Sequence, residues 1–246
     1  YTGRLIVDEC KKQGLNVLLS GRSEEKLKQH QSDSGCSYRV VELSDQQSLT
    51  SLLKQAPTVI HCAGPFSSTA LIMAKACIEA RTNYLDITGE YRVFETLHRL
   101  DSEAKSAGII IMPGTGFDVV PTDCLALHLK KRLPDANSLV MSFASVPAGL
   151  SRGTAKTALQ HFGEPSLIRS KGKLVAVPKD QRQRVVDFGN KTMSAWCISW
   201  GDIVTAYFTT GIPEIKIYLG TSEKQIKAFK MISSLGWLMK QGWVRG

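Results

Sequence analysis

Apolar positions recur in two different rhythms along this chain, and the rhythm changes near Pro134. Up to that point short apolar runs alternate with segments of helical spacing. Leu5, Ile6 and Val7 form an apolar patch on a helix predicted over Tyr1–Gly14, where Gly14 suits the left-handed position past a helix end. A strand over Leu15–Ser20 closes at Gly21-Arg22-Ser23; Ser23 suits an N-cap, and Glu24 and Glu25 favour a first helical turn. Tyr38–Leu43 reads as the next strand. Ser44 and Gln47 have capping-box spacing ahead of a helix carrying Leu49, Leu52 and Leu53, which Pro57 ends. Thr58-Val-Ile-His-Cys-Ala-Gly-Pro-Phe66 then reads as a buried strand running into a Gly-Pro turn. The helix after it, Ser68–Ala80, is apolar nearly all round, which predicts deep burial. Asn83–Ile87 is a strand, and Val93, Phe94, Leu97, Leu100 and Ala104 mark one helix that Gly108 closes. Ile109–Met112 is an apolar strand, and Pro121 opens a helix over Thr122–Leu133.

Beyond Pro134 the spacing predicts mostly strands: Ser138–Val146, Lys173–Val177, Arg184–Phe188, Asp202–Thr209 and Glu214–Leu219. They are interrupted by a helix from Ser151 to Phe162, and Ser222–Gly246 reads as a basic amphipathic helix. The implied fold is α/β: a Rossmann-type doubly wound parallel sheet with a second α+β domain containing a mostly antiparallel sheet. The spacing divides the chain into domains at 1–135 and 136–246.

Composition narrows this picture. The chain has 246 residues, 43% hydrophobic and 22% charged, as in a globular protein. It contains no apolar run long enough to span a bilayer, and no signal peptide is expected, since Tyr1-Thr2-Gly3-Arg4 opens without an apolar h-region. Cys10, Cys36, Cys62, Cys77, Cys124 and Cys197 are scattered with no C-x-x-C pair, which suggests neither a metal site nor a disulfide framework; reduced thiols fit a cytoplasmic protein. The net charge of +9 is uneven: Arg169–Lys191 holds seven basic residues against Asp180 and Asp187. Such a run is either a solvated basic loop or a surface for an anionic partner. No nucleic-acid motif accompanies it. The terminal helix, with Trp237 and Trp243, either packs on its own domain or lies on a lipid surface. Oligomeric state is not readable.

In an open α/β sheet, ligands lie outside the carboxyl ends of the strands. Three loops converge there: Ala63-Gly64-Pro65, Asp86–Glu90 and Gly114–Asp118. Gly3 begins the first helix, where a pyrophosphate would sit. Arg22, with no acid before Glu24, favours NADP over NAD, because a guanidinium pairs with a 2′-phosphate. Asp45 faces the adenine or caps a helix. His61 is a core histidine or a proton donor. Asp86 and Glu90 form a carboxylate pair, or Glu90 serves its own helix N-terminus. No catalytic triad is legible. Asp118, with Asp86 behind it, is the candidate polar group near a substrate; both also have purely structural readings. No metal is implied.

Tyr1-Thr-Gly-Arg-Leu, Gly21-Arg-Ser, His61-Cys-Ala-Gly-Pro-Phe66, Tyr84-Leu-Asp-Ile-Thr-Gly-Glu90 and Gly116-Phe-Asp-Val-Val-Pro-Thr-Asp123 together resemble the saccharopine dehydrogenase-like oxidoreductases. Ser151-Arg-Gly-Thr154, Trp200-Gly-Asp-Ile203 and Thr210-Gly-Ile-Pro213 extend the resemblance to a bacterial branch that includes trans-acting enoyl reductases. The resemblance implies an NADP-dependent oxidoreductase reducing or oxidising an enoyl, imine or carbonyl group. Thr2, Gly3, Arg22, Ser23, Asp45, Ala63, Gly64 and Pro65 would line the cofactor. The alternative is an NADP-binding regulatory or scaffold protein without turnover. Family members begin with a strand and a glycine-rich turn that are absent here, and they continue past Gly246. The chain is therefore expected to be a fragment whose missing strand lies between 15–20 and 58–63, and to fold or bind cofactor poorly alone.

Overall fold

A computed structural model describes residues 1–117, 119–144, 165–189 and 191–227. Contacts divide the chain into two compact units, Tyr1–Thr88 with Glu95–Gly116, and Gly89–Phe94 with Phe117–Gly246.

The first unit alternates helix and strand: α1 (Thr2–Lys12), β1 (Leu18–Gly21), α2 (Glu24–Ser34), β2 (Ser37–Val40), α3 (Gln46–Leu53), β3 (Thr58–His61), α4 (Phe66–Ala80) and β4 (Asn83–Asp86). α5 (Tyr91–His98) crosses between the units, and α6 (Asp101–Ala107) and β5 (Ile111–Met112) return to the first. All the pairings here are parallel, as alternation with helices requires, but they form two sheets. β1 pairs β2, and separately β3-β4-β5 form a second ladder. Lys11 Nζ donates to Ser34 O, linking α1 to α2, and Thr82 Oγ1 donates to Leu53 O at 2.8 Å behind α3.

The core of this unit is Leu49, Leu52 and Leu53 of α3, Ala70, Met73, Ala74, Ala76 and Cys77 of α4, Tyr84, and Leu97, Leu100 and Ala104. Two predicted features differ. α4 is buried on one side only, since Leu71 and Ile72 remain 37% and 38% exposed. The single helix predicted from Glu90 is two, because the chain turns at Leu100, whose N–H bonds Leu97 O while its own carbonyl starts α6. α1 is amphipathic as expected, yet none of its residues is buried and Leu5 is half exposed.

In the second unit come α7 (Val120–Arg132), β6 (Ser138–Ala144), β7 (Leu167–Ser170), β8 (Lys173–Ala176), β9 (Gln183–Asp187), β10 (Thr192–Cys197), α8 (Asp202–Thr210) and β11 (Glu214–Gly220). The sheet runs β8-β7-β11-β10-β9, mostly antiparallel, with β6 parallel to β11 from Ser138↔Glu214 to Ala144↔Gly220. One face is the core of this unit. Ile215 and Ile217 lie with Ile203, Val204 and Ala206 of α8, Ala126 of α7, and Tyr91, Phe94 and Val119.

Asp202–Thr209, predicted as a strand, is helix α8. Its β-branched content suggested a strand, but Asp202, Ile203, Val204 and Ala206 are the buried side of a helix that Gly211 closes at φ +70°. β7 and β10 were not expected from the sequence. The basic run is divided between strands and the turns joining them, and its first member is internal: Arg169 Nε donates to Ile203 O and its Nη1 to Gly172 O, both at 2.7 Å, with the guanidinium 4.2 Å from the Tyr207 ring centroid. Asp118, the segment Ser151–Thr154, Trp237 and Trp243 lie outside the described residues. Among the described residues no helix is long and apolar enough to cross a membrane, and no cluster of His, Cys, Asp and Glu could hold a metal ion.

Candidate functional site

The parallel strands of the first unit end at Gly21 and Val40 in one sheet and at His61, Asp86 and Met112 along one edge of the other. α1 brings its N-terminus to that edge, since a Cβ on Gly3 would stand 3.7 Å from Cys62 Cβ, an ordinary contact just beyond β3. The first amides of a helix have no acceptors of their own and carry partial positive charge, so Thr2 and Gly3 present donors suited to a pyrophosphate. The residues present therefore fit a dinucleotide at this position.

Toward β1 and β2 lie Arg22, Ser23 and Asp45. Arg22 is exposed. Ser23 caps α2, its hydroxyl accepting from Lys26 N at 3.5 Å. Asp45 caps α3, accepting from Ser48 N at 3.0 Å, so the cap falls one residue later than the Ser44 predicted. Those hydrogen bonds with Ser48 hold the Asp45 carboxyl below its usual range.

Toward β3, the Ala63–Pro65 turn is held from behind. Thr69 Oγ1 directs its single proton at the carbonyls of Ala63 (2.7 Å) and Pro65 (3.1 Å). The hydroxyl must then accept from His61 Nε2 at 2.9 Å, which fixes the imidazole as the Nε2–H tautomer. The ring is buried, edge-on to Phe66 with centroids 5.6 Å apart, and burial pushes its pKa down to about 4. His61 is thus a neutral core histidine with one face toward Tyr84, centroids 6.0 Å apart.

Asp86 is fully buried at the end of β4. Its Oδ1 accepts from Thr88 N (2.9 Å) and Gly114 N (2.7 Å), and its Oδ2 from Tyr84 Oη (2.5 Å). Its main-chain oxygen accepts from both the amide and the hydroxyl of Thr115, each at 2.7 Å. Burial and the neighbouring carboxylate push the Tyr84 phenol up, so it stays a donor. Glu90 belongs to the second unit, where its carbonyl accepts from Val93 N at the start of α5. The backing side chains His61, Thr69 and Tyr84 are not separable by sequence alone from ordinary core residues; the one signal is that three polar groups fall on otherwise apolar elements beside strand ends.

This fold defines the class: an α/β protein whose first unit is Rossmann-like. The chain matches, over residues 1–112, the family described as "Saccharopine dehydrogenase NADP binding domain". It is 27% identical over 232 residues to the saccharopine dehydrogenase-like oxidoreductase of Rattus norvegicus, across 84% of this chain and 53% of that protein. It is 25% identical over 189 residues to the trans-acting enoyl reductase of Mycobacterium leprae, across 69% and 45%. These similar identities single out neither branch. Apo saccharopine dehydrogenase (L-Glu forming) of Saccharomyces cerevisiae shares the fold, with TM-score 0.62 and 14% identity over 88% of this chain and 52% of that one. The chain spans about half the length of the curated relatives it matches.

The expected preference for NADP over NAD is corrected. Two solved structures that the chain resembles, GenD2 from gentamicin A biosynthesis and WlbA from Thermus thermophilus, are complexes with NAD; their identities are 15% and 12% and their TM-scores 0.46 and 0.45. Glu24 and Glu25 lie in the first turn of α2, and Lys28 Nζ stands 2.9 Å from Glu24, which lowers the pKa of that carboxyl.

Proposed function

We propose that this chain carries the nucleotide-binding part, and some of the substrate-binding part, of an oxidoreductase acting on an organic acceptor with an enoyl, imine or carbonyl group. NAD, when bound, supplies or receives the hydride. The observation that carries this reading is the placement of the α1 N-terminus at Cys62, beside the ends of parallel strands. Thr2 and Gly3 would hold the pyrophosphate, Arg22, Ser23 and Asp45 the adenosine end, and Ala63, Gly64 and Pro65 the remainder toward the nicotinamide. Residues 1–135 would serve the nucleotide and 136–246 the substrate.

One more parallel strand fits between β1 and β3. Neither strand has a partner on its remaining edge among the described residues, and α1 has no packed sheet beneath Leu5, Ile6 and Val7. The same residues in a longer chain would then form a single sheet.

A second reading, a nucleotide-binding protein without turnover, is favoured by one observation. The two buried titratable side chains at the edge, His61 and Asp86, are both engaged by protein groups, so neither is free to pass a proton. Fluorescence titration with NADH and NADPH, followed by NADH oxidation against a panel of enoyl, imine and carbonyl compounds, separates the readings. Tighter binding of NADH with turnover of one class is expected. Binding without turnover of any class favours the second reading, and absence of binding by a chain with the extra strand restored rejects both.

A further inference from the structure

Loops that follow neighbouring parallel strands are joined to one another only where side chains make them so, because the ladder stops at the strand ends. Here the β4–β5 ladder is very short, pairing Tyr84 with Ile111 and Leu85 with Met112. Beyond Met112 the chain runs on through Pro113, Gly114, Thr115 and Gly116 with no strand partner. What fixes this stretch is Asp86. One carboxylate oxygen collects the amide of Thr88 from its own loop and the amide of Gly114 from the next. The peptide oxygen of the same residue collects two donors from Thr115. The second carboxylate oxygen is met by Tyr84 from within β4. Gly116 then rests against Ile87, a Cβ on it standing 3.6 Å from Ile87 Cβ.

We propose that Asp86 is the positioning residue of this site: its buried carboxylate locks the loop after β4 to the loop after β5, and so sets where the Gly114–Gly116 backbone meets the nicotinamide end of the bound dinucleotide. The inference rests on the nucleotide site proposed above. It assigns Asp86 a role other than proton transfer, because the carboxylate is sealed from solvent and accepts on both oxygens. A buried anion that collects backbone donors from two segments is a strong clamp, since bonds to a charged acceptor exceed neutral ones and each donor would be costly to leave unmet.

The experiment compares Asp86→Asn and Asp86→Ala with Met73→Ala, a variant that weakens the buried face of α4 away from the clamp. Amide exchange of Thr88 and Gly114 is read beside that of Leu52 in α3, and NADH affinity is read by fluorescence titration on the full chain. Asp86→Asn keeps the acceptor for both amides but loses the charge, so Gly114 exchange is expected to rise about tenfold with Leu52 unchanged. NADH affinity should fall by a similar factor. Asp86→Ala should do more, and Met73→Ala should speed Leu52 without changing NADH affinity at matched folded fraction. If Asp86→Ala does not fold, Asp86→Asn against Met73→Ala carries the comparison alone. Unchanged Gly114 exchange in Asp86→Asn overturns the proposal, as does a loss of NADH affinity that Met73→Ala reproduces. If a chain with the extra strand restored binds no NADH, the nucleotide reading fails, and the exchange comparison alone decides the clamp.

Discussion

Gly201 sits so close to Phe94 that a Cβ built on it would stand 2.6 Å from Phe94 Cε2, and 2.9 Å from Val119 Cγ1. The backbone of Gly201 is helical, at φ −52°, so its glycine is required by packing rather than by torsion. Phe94 is 4% exposed in the core of its unit and has nowhere to swing. Gly201→Ala should therefore destabilise the second unit by roughly 1–3 kcal/mol, the cost of overpacking a filled core. Phe94→Leu in the same chain should return part of that loss. Denaturant unfolding of the single and double variants measures it, and additive losses would contradict the assignment of the clash.

Burial keeps His61 neutral, with a pKa of about 4 against an ordinary 6.5. The unfolded chain thus binds a proton more readily than the folded one between those values. Stability is complete above about pH 6.5 and falls as the pH drops toward 4, by at most about 3 kcal/mol if this group acts alone. His61→Gln retains a donor for Thr69 and cannot titrate. Urea midpoints from pH 7 to 4 should slope downward in the natural chain and flatten in the variant.

Asp45 caps α3 through Ser48 N, and ionisation strengthens that bond. Asp45→Asn should stay near the natural melting temperature because it retains an acceptor, while Asp45→Ala should melt earlier. Thermal unfolding by circular dichroism distinguishes them. The cap's charge is lost only as the pH falls through the depressed pKa of this carboxyl, so a plateau above that range is expected.

The alternating strands and helices of the first unit were legible because their apolar periods are clean and their ends are marked by Ser23, Pro57, Gly14 and Gly108. α8 was not. Ile203, Val204 and Tyr207 sit at positions that satisfy both a strand and a short buried helix, and only packing against α7 and β11 decides. β7 and β10 escaped because Arg169 interrupts one and Ser194 the other, each satisfied by tertiary partners, Ile203 O and Glu223 Oε1. At the site, the glycines and prolines of the turns announce themselves. The clamp does not, since the donors to Asp86 include Gly114 and Thr115, far along the chain, and nothing local to Tyr84–Thr88 predicts them.

The two parallel sheets of the first unit share no ladder, so cooperativity between them depends on helices and on whatever spans their common edge. A dinucleotide lying from Arg22 to Pro65 would span it, acting as a cross-brace between halves that can otherwise loosen separately. Leu19 and Tyr38 amides should then exchange independently of Ile60 and Leu85 in the free chain. With saturating NADH all four should slow together, by the factor that ligand linkage sets. Nucleotide affinity and the mechanical unity of this unit would on that account be one quantity, so that any change that stiffens the join between the sheets should also tighten binding.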